Sequence, residues 1–236
     1  MRFLGKLNAE TRSFAQSGED RIIKFLFDHQ LQIARPTYID IGAYHASELS
    51  NTYLLYLRGS RGVLVEPDPA LCEELRRRRR RDTCLNIGIS PTGQELTFFV
   101  MHPDTLSTFL QEEAELHRRD YGAKIMRTIN GETRPVSEVL EEHFPQGVNL
   151  VSLDAEGFDD AILGSFPFER FRPEVFCVET ASYGEGLTVG KDHAIADMMS
   201  ENGYFIYADT FVNTIFVDER AWKSRKLPTL TAGIRI

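Results

Sequence analysis

The sequence predicts a mostly parallel α/β sheet with helices on both faces and an antiparallel finish. Three observations carry that expectation. Short β-rich runs alternate with amphipathic segments from Thr37 onward; the runs end in acidic residues at Asp40, Glu66 and Asp154; and two β-rich runs, Tyr204 to Tyr207 and Thr214 to Val217, follow one another closely at the end. Strands separated by helices pair in parallel and are covered on both faces, whereas two strands with a short link pair antiparallel.

The elements follow in order. Gly18 to Leu31 spaces Ile22, Ile23, Phe25, Leu26 and Phe27 among charges, as an amphipathic helix does. Thr37 to Ile41 reads as the first strand, Asn51 to Arg58 as a helix and Gly62 to Val65 as the second strand, a β-α-β unit. A helix over Pro69 to Arg79, a strand over Thr83 to Ile87 and an extended piece over Glu95 to Val100 continue it. Residues 101–133 read as an insertion near the substrate side that holds one charged helix, Gln111 to Arg119. The alternation then resumes: helix Val136 to Glu142, buried strand Val148 to Leu153, helix from Asp159 to Leu163, strand Pro173 to Glu179. Helix His193 to Glu201 stops before Asn202-Gly203, a helix-ending pair. With 236 residues and no Pro/Gly/Ser-rich linker, the chain reads as one domain over 1–236, with 1–35 as a helical lead-in.

Composition excludes several functions. A net charge of −8 argues against a broad nucleic-acid surface, which needs many Lys and Arg contacts to phosphate. No apolar stretch is long enough for a membrane span or a signal-peptide core, so a cytoplasmic protein is expected. Cys72, Cys84 and Cys177 form no CxxC pair and read as reduced packing residues. Six consecutive arginines, Arg76 to Arg81, read as a solvated helix end, where cations complement the dipole, or as a patch for an anionic ligand. The cluster Phe166, Phe168, Phe171 and Phe176 reads as core packing.

In open α/β sheets ligands bind beyond the carboxyl ends of the strands. Asp40-Ile41-Gly42 ends the first strand, and Gly42 lets a ligand approach the backbone; Glu66 ends the second, where a carboxylate can accept hydrogen bonds from both hydroxyls of a ribose. A dinucleotide pyrophosphate calls for G-x-G-x-x-G, yet Gly42 is followed by Ala43-Tyr44-His45-Ala46-Ser47-Glu48 with no second glycine. A ligand with a ribose and no pyrophosphate fits better, and S-adenosylmethionine is one.

These residues resemble the FkbM-type methyltransferases. The likeness is carried by Phe14-Ala15-Gln16-Ser17-Gly18-Glu19-Asp20, Ile39-Asp40-Ile41-Gly42-Ala43, Ser50-Asn51-Thr52, Arg61-Gly62-Val63-Leu64-Val65-Glu66-Pro67, Ser152-Leu153-Asp154-Ala155-Glu156-Gly157-Phe158-Asp159 and Arg172-Pro173-Glu174 with Glu179-Thr180. The resemblance implies a Rossmann-like class I methyltransferase sheet and S-adenosylmethionine as cofactor. It implies that Asp40, Gly42, Asn51 and Glu66 border the cofactor, that Gln16 reaches its methionine end, and that Asn86 and Ile87 lie near the adenine. The first loop departs from common methyltransferase patterns by carrying His45 and Glu48 in place of glycines.

Methyl transfer to an alcohol needs a base, because the hydroxyl's pKa lies far above neutral. Asp154, Glu156, His45 and His193 are the candidates; a rigid strand end favours Asp154, with Glu156 orienting the substrate or assisting. Asp154 also suits a helix cap. Alternatively, Asp154, Glu156, Asp159 and His45 supply groups from which a divalent metal site could be built. The expected reaction is O-methylation of a sugar, nucleotide-activated or polysaccharide-linked as in polysaccharide biosynthesis, with Arg76 to Arg81 or Arg118-Arg119 meeting phosphate. A natural-product or lipid hydroxyl, or a nucleotide-binding domain without catalysis, are the alternatives. Tyr183 to Gly186 reads as a substrate-side loop. The partner is thus a small molecule or glycan, and a homo-oligomer is compatible with the sequence.

Overall fold

The computed structural model describes residues 12–183, 189–191 and 193–225. The lead-in forms α1 (Glu19–Phe25), which widens into a π-helical turn (Leu26–Leu31). There follow β1 (Tyr38–Ile41), α2 (Tyr53–Leu57), β2 (Gly62–Val65), α3 (Pro69–Arg78), β3 (Thr83–Leu85), β4 (Gly88–Ile89) and β5 (Glu95–His102). A short 3-10 turn (Asp104–Leu106) leads to α4 (Gln111–Asp120), β6 (Lys124–Arg134) and α5 (Val136–His143). The chain continues through β7 (Leu150–Leu153), α6 (Asp159–Gly164), β8 (Val175–Glu179), β9 (Ala181–Tyr183) and β10 (Val189–Lys191). It ends in α7 (His193–Glu201), β11 (Tyr204–Asp209), β12 (Asn213–Asp218) and α8 (Glu219–Ser224).

Seven strands form the main sheet in the order β11-β12-β8-β7-β1-β2-β3. The five from β8 to β3 are parallel, and β12 runs antiparallel to both of its neighbours. The antiparallel finish is thus as expected, with β12 lying inside the sheet and β11 at its edge. The strand order reverses between β1 and β7, and a crevice opens beyond their carboxyl ends at such a switch point.

Period-two alternation divides the side chains between two cores. Ile39, Ile41, Val63, Val65, Val151 and Leu153 face one side, where α5, α6 and α7 cover them with Val139, Leu140, Ile162, Leu163 and Met199. Tyr38, Leu64, Leu150, Val175, Cys177 and Ile215 face the other, under Ile23 and Phe27 of the lead-in, Leu55 and Tyr56 of α2, and Cys72 and Leu75 of α3. The four phenylalanines Phe166, Phe168, Phe171 and Phe176 belong to the first core, as expected. The three cysteines are free and buried; the Cys72 and Cys84 sulfurs lie 2.8 Å apart.

Between residues 101 and 133 the chain is more regular than its sequence suggests. β6 pairs antiparallel with β5 and in parallel with β4, forming a separate three-stranded sheet. Most of β6 is half-buried or exposed, so its residues show no apolar alternation by which to recognise a strand.

The arginine run departs from the expected solvated helix end at one position. Arg76, Arg77, Arg78, Arg80 and Arg81 are exposed, but Arg79 retains only 1% of its accessible surface. Its guanidinium donates to Asp82 (2.8 Å), the Ala46 carbonyl (3.2 Å), the Tyr38 hydroxyl (3.0 Å) and Thr52 Oγ1 (3.1 Å). The rings of Tyr38, Tyr53 and Tyr56 surround it. Thr52 in turn donates its hydroxyl to the Asp40 carboxylate at 2.6 Å, so one buried chain of polar groups ties α3 and the start of α2 to β1. A buried charge persists only where its donors and its counter-charge are satisfied, as Asp82 and these acceptors satisfy Arg79. Arg79→Met should therefore cost about 3–5 kcal/mol in urea denaturation, because it strands Asp82, Thr52 and Tyr38, whereas Arg77→Ala should stay within about 0.5 kcal/mol.

Candidate active site

A cleft of about 240 Å³ opens beyond the ends of β1, β2 and β7, and Gln16, Gly42, Asn51, Glu66, Asp154 and Glu156 all line it. Gly42 has φ +78°, and a Cβ there would stand 1.8 Å from the carbonyl oxygen of Asp154. Glycine is thus demanded by conformation and by space at once. The amides of Gly42 and Ala43 donate to the Val65 carbonyl, which binds the turn to β2.

Glu66 is 4% exposed, and its two carboxyl oxygens accept from the amides of Tyr44 (2.9 Å) and Asp68 (2.8 Å). Burial pushes its pKa up to about 8, against the opposing pull of those two amides. Tyr44, itself in the left-handed region at φ +49°, donates its hydroxyl to Asp104 at 3.1 Å and so joins the turn after β1 to the segment after β5.

On the other side of the switch point, Asp154 and Glu156 follow β7 and Glu179 ends β8. Oxygens of these three carboxyls lie within 4.8 Å of one another. Burial is the first cause that raises all three pKa values, and mutual repulsion adds to it for Glu156 and Glu179; Glu179 reaches about 12. Glu179 therefore keeps its proton at neutral pH and shares a hydrogen bond with Asp154. The Asp154 Oδ1 atom is buried with no protein partner.

The loop that presents them is built under constraint. Glu156 (φ +47°) and Gly157 (φ +99°) are consecutive left-handed residues, a costly geometry for a side chain as large as glutamate. Asp159 caps the loop by accepting from the amides of Ala155 (2.9 Å) and Gly157 (3.4 Å), and Thr108 donates to the Glu156 carbonyl at 2.8 Å.

Six residues singled out from the sequence do not line the cleft. Asp40 shares its strand face with Tyr38, so its carboxylate points under α2 toward Thr52 and not toward the strand ends. Asn86 spends its amide on the carbonyls of Glu66 and Pro67, both at 2.9 Å, and Ile87 belongs to the first core. His45 accepts from the amides of Ser47 and Glu48 through Nδ1 and sits 3.3 Å from Glu74 through Nε2. Asp159 is committed to its own loop. Of the Asp154, Glu156, Asp159 and His45 set from which a metal site could be built, Asp154 and Glu156 converge, and the third carboxyl beside them is Glu179. His193 is exposed at the start of α7. Asp154 caps no helix, since Asp159 takes the loop amides. The expected substrate-side loop, Tyr183 to Gly186, lies largely outside the described residues.

Glu179, Tyr44, Phe109, Phe158 and Asn213 line the cleft without having been singled out as site residues. Glu179 was open to recognition, because it ends its strand just as Asp154 follows its own. Asn213 is 3% exposed, hydrogen-bonds Glu19 through Nδ2, and pairs in register with Glu179.

A family model described as the methyltransferase FkbM domain matches residues 40–206. No curated protein matches the chain. Among solved structures, a TehB-like SAM-dependent methyltransferase from Corynebacterium glutamicum is similar at 10% identity and a TM-score of 0.44, over 89% of this chain and 90% of the other. The precorrin-6y C5,15-methyltransferase of Geobacter metallireducens gives 13% identity and 0.42, over 87% and 90%. An O-methyltransferase from Bacillus cereus in complex with SAH gives 11% and 0.42, over 86% and 80%. Likeness at this level brings no substrate or chemistry across.

The buried acids make stability depend on pH. Glu66 ionises near 4.5 in the unfolded chain and near 8 in the folded one, so its contribution is complete below 4.5 and is lost as the pH rises to about 8. The melting temperature should fall across that window, and Glu66→Gln should make the fall shallower; an unchanged slope would show that Glu66 ionises freely in the fold.

Proposed function

The chain belongs to the FkbM family of methyltransferases, whose methyl donor is S-adenosylmethionine, and on that premise we propose that it methylates a hydroxyl group of a sugar. The observation that carries the reading is the convergence of Asp154, Glu156 and Glu179, with Asp154 Oδ1 unpartnered, in the same cleft as Gly42 and Glu66.

The residues present fit the cofactor. Gly42 leaves bare backbone at the switch point, Glu66 offers a fixed carboxyl for a ribose diol, and the acidic cleft suits a ligand whose sulfonium and ammonium are cationic. Gln16 and Asn51 stand at the same cleft and would hold its methionine end. When bound, S-adenosylmethionine supplies a methyl group on a positively charged sulfur, ready for attack by a nucleophilic oxygen.

The chain's part is to orient that oxygen and to take its proton. Asp154 Oδ1 is the acceptor for it, and burial makes this carboxyl a stronger base than one in water. Glu179, holding its own proton against Asp154, fixes the orientation of that carboxyl; Glu156 receives a neighbouring hydroxyl. Phe98 of β5 and Phe109 line the same cleft and would limit water on the acceptor side.

The convergence of three carboxyls also suits a divalent cation, which would acidify the acceptor hydroxyl directly. Turnover that survives exhaustive chelation excludes that variant; turnover lost to chelation and restored by magnesium replaces the simple base.

Glu66→Ala should raise the dissociation constant of S-adenosylhomocysteine by about tenfold to a hundredfold, the value of a pair of hydrogen bonds to the ribose diol. Asp154→Asn should leave that constant within about threefold and lower kcat by about 10²-fold or more. Calorimetry and a tritiated-methyl transfer assay read the two effects separately, and an Asp154→Asn enzyme with normal kcat would remove Asp154 from the reaction.

A further inference from the structure

The cleft has a charge pattern and an apolar wall that together bear on the acceptor. Among the described residues its lining includes the carboxyl side chains of Glu66, Asp68, Asp104, Asp154, Glu156 and Glu179, and no lysine, arginine or histidine. None of the arginines expected to meet phosphate lines the cleft; Arg77 and Arg80 are exposed on the surface, and most of the others have partners elsewhere. Arg76 donates to the Cys84 carbonyl, Arg78 to Glu74, Arg81 to the Tyr56 carbonyl, and Arg79 is sealed beneath α2. Arg118 and Arg119 pair with Glu115 and Asp120 on the exposed face of α4. Arg127, whose side chain is half exposed, pairs with Asp68, a cleft-lining residue, at 2.7 Å.

The apolar wall is Phe109, and its position is cut to shape by two glycines on different strands. A Cβ on Gly88 would stand 2.5 Å from the Phe109 ring, and one on Gly131 would stand 3.0 Å from it. Phe98, at 4.7 Å between ring centroids, and Phe158, edge-on at 6.4 Å, complete the setting. A ring held by missing side chains on one side and by aromatic neighbours on others has one place to be, and here it is a wall of the cleft.

We infer that the acceptor is an uncharged glycosyl unit, presented as a glycoside and not as a nucleoside-diphosphate sugar, with its C–H face on Phe109 and its hydroxyl edge toward Asp154 and Glu156. The inference rests on the methyl-transfer reading above. A sugar ring has an apolar face and a rim of hydroxyl donors, and the cleft offers an aromatic surface and carboxyl acceptors to match. A diphosphate brings negative charge to a cleft lined by carboxyls, and among the described lining residues no cation is there to receive it; Arg127 at its edge is already paired with Asp68.

The test begins with calorimetric titration of the full chain by S-adenosylmethionine and S-adenosylhomocysteine. If neither binds, the methyl-transfer reading fails and this inference falls with it. With binding established, tritiated-methyl transfer is compared between methyl and octyl glycosides of common hexoses and 6-deoxyhexoses and the uridine- and thymidine-diphosphate forms of the same sugars. The expected result is a kcat/KM for at least one glycoside about tenfold or more above that of its nucleotide form. Preference for a nucleotide form, or transfer to none of the glycosides, overturns it. Phe109→Ala should raise the glycoside KM about tenfold with kcat nearly unchanged, and Phe109→Tyr should restore it. S-adenosylhomocysteine affinity reports whether each variant is folded, and Phe109→Leu replaces the alanine variant if it is not. An unchanged KM in a folded variant overturns the role of the ring.

Discussion

The site depends on a contact that contains no side chain. At Gly42 the backbone of β1 turns so close to the carbonyl of Asp154 that a methyl group would occupy the oxygen's place. This approach sets the width of the crevice between the two halves of the sheet. On one side Tyr44, two residues beyond Gly42, fastens Glu66; on the other the same carbonyl begins the loop that carries Glu156. The left-handed backbone at Glu156 and Gly157 is affordable because Asp159 and Thr108 hold it from opposite ends. Strain of this kind survives where its surroundings over-determine it, and here it aims two carboxyls at one small volume.

Beneath that crevice lies a second constraint of a different kind. The chain from Asp82 through Arg79 and Thr52 to Asp40 is polar, buried and fully partnered, and it joins α3, α2 and β1 on the face opposite the acidic cluster's own packing. Such a network contributes less to net stability than to uniqueness, because each member is costly in any other arrangement. Asn51, next to Thr52, is thereby held beside Ser152 of β7, and the floor of the cleft is fixed from below.

Much of the architecture was legible because strands with both faces covered leave apolar runs that end abruptly in charge, as Ile39-Asp40-Ile41 and Val63-Leu64-Val65-Glu66 do. What escaped recognition has particular causes. β6 is covered on neither face well enough to need apolar alternation. Asp40 marks the correct strand end, yet period-two geometry turns its carboxylate away from the crevice; the backbone of its neighbour Gly42 lines the cleft instead. Arg79 is indistinguishable from five exposed arginines until Tyr38, Tyr53 and Tyr56 are seen to surround it. Glu179 joins the cluster only through the pairing of β8 with β7, and the seat of Phe109 needs Gly88 and Gly131, residues far apart in the chain, to be read together.

The strand pairing also separates two tasks. Gly42, Glu66, Asp154 and Glu179 stand at the ends of the seven-stranded sheet, whereas the ring of Phe109 is seated by strands of the other, three-stranded one. Among the described residues no ladder of backbone hydrogen bonds joins the two sheets; among their ties are side-chain links such as Tyr44 to Asp104 and Thr108 to the Glu156 carbonyl. On the proposed reading the Phe109 wall meets the acceptor, and it can be re-cut, by a longer ribbon or a different residue opposite Gly88, without disturbing the register of the seven-stranded sheet. Divergence among chains built on this plan should fall on the ribbon, and grafting one ribbon for another is a rational route to new acceptors.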